Sequence, residues 1–261
     1  MKIPKKIKDL IDKKLGSKDQ LGMSGASVYL FDDMVLKVQA SSVEAENEYA
    51  MLRWMDGKLP VPKIIEYENT NKLSYLLMSR CAGEIACCDS LMSEPKKLAR
   101  LLSETLQLLW SIDCTDCPVL QSLDKKLLQA EYNVSNDLVD IQNCAPDTFS
   151  KDSFKDPGAL LNWLKENKPV EHPVLSHGDF CLPNILFLND KLTGLIDVGR
   201  SGLADQWCDL ALCYRSLVDN YNGKYAKDCF SNFQDRCLFD ALQIVPDWDK
   251  IRYYILLDEL F

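Results

Sequence analysis

Apolar residues at Ile7, Leu10, Ile11 and Leu15, with lysines on the opposite side, predict an amphipathic helix over about residues 5–15. The next apolar runs alternate instead. Val28-Tyr29-Leu30-Phe31 and Met34-Val35-Leu36-Lys37-Val38 read as strands joined by a tight turn at Asp32-Asp33, and the Gly- and Ser-containing stretch 22–27 punctuates the chain before them. Residues 43–56 return to a helical pattern, with Tyr49, Leu52, Trp54 and Met55 as its apolar contacts, and Pro60 and Pro62 follow its end. Strands are expected around 64–67 and 74–78, and Gly83 closes a short connector. The first eighty or so residues therefore predict a small sheet with one helix packed beside it.

Beyond that point the period is helical. Leu98, Leu101, Leu102, Thr105 and Leu109 keep a 3.6-residue repeat, and Leu123, Leu127, Leu128 and Tyr132 continue it. The polar, Pro-containing stretch 142–157 reads as a loop. Trp207, Leu210, Ala211, Tyr214, Leu217 and Val218 mark another amphipathic helix, opened by acids at Asp205 and Asp209. A last helix is expected to start near Asp247, where Pro246 and an N-cap carboxylate coincide. No internal repeat is visible. The expectation is an α+β protein with an N-terminal lobe over residues 1–82 and a larger, mostly helical C-terminal lobe over residues 83–261.

Charge changes this picture in one respect. Residues 1–82 hold 13 Lys+Arg against 11 Asp+Glu, whereas residues 83–261 hold 17 against 28, a net charge of −11. Such a field repels nucleic acid and favours cationic ligands. The start, Met1-Lys2-Ile3-Pro4-Lys5-Lys6, has no apolar run after its charges, and no window nears the roughly 18 apolar residues of a membrane span. A cytoplasmic protein is expected. The 11 cysteines are scattered and odd in number. The single C-x-x-C, Cys114 to Cys117, has no second pair to complete a zinc site, so reduced thiols are expected.

The chemistry lies in the run His177-Gly178-Asp179-Phe180-Cys181-Leu182-Pro183-Asn184. It matches H-x-D-x-x-x-x-N, the spacing of the protein-kinase catalytic loop, with Gly178 in place of Arg. In that chemistry Asp179 orients the accepting hydroxyl and takes its proton late. Asn184 and the later Asp197, in the apolar Ile196-Asp197-Val198, are the oxygen ligands expected to hold Mg2+ against the phosphates. His177, two residues before the working Asp, is expected to brace the loop. Lys37 is a charge in mid-strand and must point at something anionic, here the α- and β-phosphates. Glu48, inside the helix that follows, is its best partner, ahead of Glu44 and Glu46. The 22–27 loop lacks the kinase G-x-G-x-x-G, but its Ser24 and Ser27 and backbone N–H groups could cradle phosphate oxygens. Ser79 and Cys81 lie where a kinase hinge would meet the nucleobase.

The run 177–184 followed by Ile196-Asp197-Val198-Gly199-Arg200-Ser201-Gly202-Leu203-Ala204-Asp205 resembles the aminoglycoside 3′-phosphotransferases. The resemblance extends over the chain through Gly22-Met23-Ser24, Gly57-Lys58-Leu59-Pro60-Val61-Pro62, Leu76-Leu77-Met78-Ser79, Phe154-Lys155-Asp156-Pro157 and Leu256-Leu257-Asp258-Glu259-Leu260-Phe261. It implies a two-lobed protein-kinase-like fold and transfer of the γ-phosphate of ATP or GTP to the 3′-hydroxyl of drugs such as kanamycin and neomycin. It places Arg200 near the phosphates. Asp219, Asp258, Glu259 and the Phe261 carboxylate fall on positions that bind the drug's ammonium groups, with Asp147 in a loop where relatives put further acids. Val35 stands where some relatives stack an aromatic on adenine, which leaves adenine and guanine both open. The sequence does not specify oligomeric state, a monomer being the favoured reading. The competing readings are a kinase of the same fold acting on choline, a pentose or a macrolide, and a non-catalytic binder.

Overall fold

The computed structural model describes residues 3–11, 17–18, 26–150, 153–225 and 233–261, with only strand pairing for 17–18. They form two compact units, one of residues 1–85 with 183–201, the other of residues 86–182 with 202–261. The segment 183–201, which the sequence reading placed in the second lobe, belongs to the first unit.

In the first unit an antiparallel sheet runs in the order β1 (Ser17–Lys18), β2 (Ser27–Leu30), β3 (Met34–Ala40), β5 (Leu73–Ser79), β4 (Ile64–Asn69). The β2–β3 turn closes with Phe31 N donating to Met34 O at 2.9 Å, as the Asp32-Asp33 pair predicts. Helix α1 (Lys5–Ile11) sends Ile7 into a core of Phe31, Met34, Leu36, Val38, Tyr75 and Leu77, while Leu10 stays exposed. The sequence extension of this helix to residue 15 falls outside the described residues. Helix α2 (Val43–Met55) starts at Ser42, whose Oγ accepts from Ala45 N at 3.2 Å, and buries Met51, Leu52 and Met55. Its Tyr49 stacks on Tyr67 with ring centroids 4.0 Å apart. A second sheet joins β6 (Glu84–Ile85) to β8 (Ile185–Leu188) and β9 (Lys191–Leu195). The β8–β9 turn uses Asn189 and Asp190 at φ 51° and 60°, the two-residue left-handed pair that suits strand twist.

The second unit is helical around a two-stranded ribbon. Helices α3 (Asp89–Met92) and α4 (Pro95–Ser111) come first, and α4 buries all five of the periodic residues from Leu98 to Leu109. On α5 (Leu123–Ser135) Leu123, Leu127 and Ala130 are buried, but Leu128 and Tyr132 are exposed. The helix forms where its period predicts, with a narrower inward face than the apolar stripe. The loop expected over 142–157 ends in an unpredicted helix, α6 (Pro157–Glu166), capped by Asp156 Oδ1 on Ala159 N at 2.8 Å. Strand β7 (Pro173–Ser176) pairs antiparallel with β10 (Gly202–Asp205), which runs straight into α7 (Gln206–Tyr221). Helices α8 (Cys237–Leu242) and α9 (Trp248–Asp258) finish the chain, and Asp247 caps α9 as expected, accepting from Lys250 N at 3.0 Å. No helix among the described residues is long and apolar enough to cross a membrane. The architecture is mixed α+β, with the five-stranded sheet in the N-terminal part and helices dominating the second unit.

Candidate active site

Within the first unit, Lys37 sits mid-way along β3 with its side chain buried. Its Nζ lies 2.9–3.0 Å from the Glu48 carboxylate and 2.6 Å from Asp197 Oδ1. Burial alone would lower the pKa of this ammonium, but the two carboxylates outweigh it and raise the value above normal. Lys37 is a fixed cation. Gln39 Nε2 donates to the second oxygen of Glu48 at 3.2 Å and so fixes the acid from the same strand. Glu46 turns away to Asn69, and Glu44 lies 3.8 Å from Arg200 Nε.

Asp197 directly precedes a 3-10 turn, Val198–Arg200, and is itself left-handed at φ 57°, ψ 49°. Gly199 lets this turn press on α2, because a Cβ there would lie 2.8 Å from Glu44 Cγ. Asn184 ends another 3-10 turn (Leu182–Asn184), and its carbonyl accepts from Ile196 N at 3.0 Å, beside Asp197 in sequence. Arg200 is half-buried. Ser27 lies on β2 opposite Val38, and Ser79 Oγ accepts from Lys63 N at 2.9 Å. Cys81 is half-buried, and burial raises its thiol pKa. Ser24 lies outside the described residues.

Within the second unit, the loop that follows β7 is held from α7. Asp209, fully buried, accepts from Ser176 Oγ at 3.0 Å, His177 N at 2.7 Å and Gly178 N at 2.9 Å. Burial pushes its carboxyl above the ordinary value, against the pull of His177 and these donors. Gly178 has φ 82°, a conformation that explains glycine where protein kinases have arginine. His177 Nδ1 accepts from Asp179 N at 3.3 Å, so the histidine braces the loop. Asp179 is half-buried; burial, then the charge of the nearby Asp179, holds the Cys181 thiol well above its usual pKa. Asp205 supports the start of β7 in the same way, accepting from His172 N at 3.1 Å and Tyr254 Oη at 2.7 Å. Sequence reading took Asp205 and Asp209 only as acids opening a helix. Two acids four residues apart among Ala, Trp, Cys and Leu was the signal that they point inward.

The acids at the end of the chain are engaged. Asp258 Oδ2 takes Arg215 Nη2 at 2.6 Å, Glu259 Oε2 takes Ala145 N at 3.1 Å, and Asn133 Nδ2 donates to Leu260 O at 2.8 Å. Asp219 pairs with Lys224 at 2.8 Å, Asp147 is exposed, and the Phe261 side chain is partly so. The last turn is therefore pinned to α5, α7 and the 142–148 segment rather than frayed. Among the described residues all ten cysteines are free thiols.

A lysine clamped between a helix glutamate and a loop aspartate, with an oxygen-bearing Asn nearby in the chain, is equipment for holding polyphosphate. The model of the phosphotransferase enzyme family matches residues 21–254. An aminoglycoside 3′-phosphotransferase from Enterococcus faecalis is 40% identical over 100% of this chain and 99% of its own length. One from Niallia circulans is 34% identical over 99% and 97%. Among solved structures, the aminoglycoside-3′-phosphotransferase of type VIII superposes with a TM-score of 0.79 at 26% identity, over 98% of this chain and 97% of that one. An aminoglycoside phosphotransferase from Streptomyces rimosus, solved with ADP and streptomycin, shares the fold at a TM-score of 0.77 and 21% identity, over 97% and 96%.

Proposed function

This chain belongs to the phosphotransferase enzyme family, and on that footing we propose that it moves the γ-phosphate of a nucleoside triphosphate to the 3′-hydroxyl of aminoglycosides of the kanamycin and neomycin type, conferring resistance. The observation that carries this reading is the buried Lys37–Glu48 pair, joined by the more exposed Asp197, in a chain alignable end to end with 3′-phosphotransferases.

Lys37 would donate to the α- and β-phosphates, with Glu48 and Gln39 preventing it from swinging away. The carboxylate of Asp197 and the amide oxygen of Asn184 are hard donors that suit Mg2+, which keeps part of its water shell and binds through one or two protein oxygens plus phosphate. When bound, that ion neutralises charge on the transferring phosphoryl group. Asp179 would orient the drug hydroxyl and accept its proton after the loose transition state has formed, a task that needs placement more than basicity. Asp209, through the backbone of His177 and Gly178, supplies that placement. Arg200 would lie near the phosphates. Ser24 and Ser27 would lie in the loop over them, and Ser79 and Cys81 in the segment facing the nucleobase of ATP or GTP.

Asp147, Asp219, Asp258, Glu259 and the Phe261 carboxylate would receive the drug's ammonium groups. Asp258, Glu259 and Asp219 each already accept from an internal donor, and an ionised carboxylate has lone pairs for more. The test is ATP consumption with kanamycin and magnesium, with the product mapped by phosphorus–proton NMR. Phosphate on the 3′ oxygen is expected, and turnover lower by about 10²-fold or more in Asp179→Asn. No phosphorylated drug, or a variant with more than half of normal turnover, would overturn the assignment.

A further inference from the structure

Lys126 on α5 and Cys208 on α7 meet with Nζ 2.9 Å from Sγ. The thiol contacts at Cys114, Cys117 and Cys144 are longer, 3.4–3.5 Å. Cys208 is 4% exposed. Asp209 and Asp258 are in the electrostatic surroundings of Lys126, but their hydrogen bonds go elsewhere: Asp209 to the catalytic-loop donors and Asp258 to Arg215. Among the described residues, the Lys126 ammonium has one hydrogen-bond partner, and it is a sulfur. A carboxylate would be the ordinary choice for a cation so placed. An amine and a thiol held this close, and shielded from bulk thiols, are set up to react with each other once the sulfur is oxidised.

We propose that Lys126 and Cys208 form a covalent nitrogen–oxygen–sulfur bridge under peroxide, linking α5 to α7 one residue from the carboxylate that supports the catalytic loop. One peroxide converts the thiol to a sulfenic acid and water, forming the S–O bond. A second takes up the two electrons released as that oxygen bonds to Nζ. In total the thiol, the ammonium and two hydrogen peroxide give the bridge, three waters and one proton. An oxygen inserted between two atoms already 2.9 Å apart requires little movement of either helix. The nearby nitrogen also diverts the sulfenic acid from further oxidation, so the modification remains reversible by thiols.

The full-length protein is treated with graded hydrogen peroxide, remaining thiols are alkylated, and the chain is digested without reductant for mass spectrometry. The expected product is a linked pair of peptides containing Lys126 and Cys208, heavier than their sum by one oxygen less two hydrogens, and resolved to the free peptides by dithiothreitol. Cys208→Ser and Lys126→Arg, each checked for folding by circular dichroism, should both lack it. The wild-type result decides alone if either variant misfolds. Three outcomes overturn the proposal: Cys208 recovered as free thiol at peroxide levels that oxidise Cys88 and Cys117, Cys208 driven to sulfinic acid with Lys126 unlinked, or a direct nitrogen–sulfur link that has lost two hydrogens and gained no oxygen.

Discussion

Asp197 combines an unusual backbone with the chemical duty proposed for it. At φ 57° and ψ 49° it occupies a region that costs most side chains energy, yet Asp and Asn enter it comparatively easily. Asn at this position keeps the conformation and removes the charge, whereas Ala removes the charge and lacks the polar side chain that helps the backbone. Asp197→Asn should therefore unfold near the wild-type midpoint, and Asp197→Ala should be destabilised by about 1–3 kcal/mol, the usual scale for a strained position. Both should lose turnover by about 10²-fold or more if Asp197 takes part in the electrostatics of transfer. Urea unfolding beside steady-state rates separates the two effects. An Asn variant with more than half of normal turnover would put Asp197 outside the site. Losing Asp197 would leave Lys37 with Glu48 as its remaining carboxylate partner.

At the level of elements, the loop that carries Asp179 depends on α7 for its shape. Asp209 accepts three donors, and Asn offers one carbonyl oxygen and an NH2 that faces N–H groups. Asp209→Asn should cost about 1–3 kcal/mol for each donor left unpaired and lower kcat with it. An unchanged unfolding curve would show that the loop is held from elsewhere. None of this was visible in sequence, because Asp209 acts on residues 31–33 positions earlier and the pairing exists only once β7 and α7 pack. The Lys37–Glu48 pair was legible because a mid-strand charge followed by an acid-bearing helix fits the kinase pattern that the 177–184 run announces. Helix α6 could have been found from Asp156-Pro157, an N-cap followed by proline at N1, with Leu160, Leu161 and Leu164 behind it. The outward Leu128 and Tyr132 show the opposite limit: a periodic stripe predicts a helix, but not how wide a face its neighbours will cover. Where the 183–201 segment belongs is likewise set by its strands pairing with β6, a tertiary choice.

At the scale of the whole molecule, a net charge of −9 with the excess in residues 83–261 favours polycationic ligands. Raising salt from low to about 0.15 M shortens the screening length to about 8 Å. The Michaelis constant for kanamycin should rise, and that for the nucleotide, which carries the opposite charge, should not rise in parallel. Equal increases would place the ionic contribution elsewhere. Tobramycin, which lacks the 3′-hydroxyl, separates this attraction from the chemistry. Its ammonium groups should still fill the acidic positions, so it should inhibit kanamycin phosphorylation competitively. It should accept no phosphate on that ring, because no oxygen stands in line with the γ-phosphorus, and positioning rather than binding limits transfer. A hydroxyl on another ring could react slowly, which is why the modified position must be located by NMR. Fast phosphorylation of tobramycin would mean that Asp179 serves a different hydroxyl, while the charge argument for drug binding would stand.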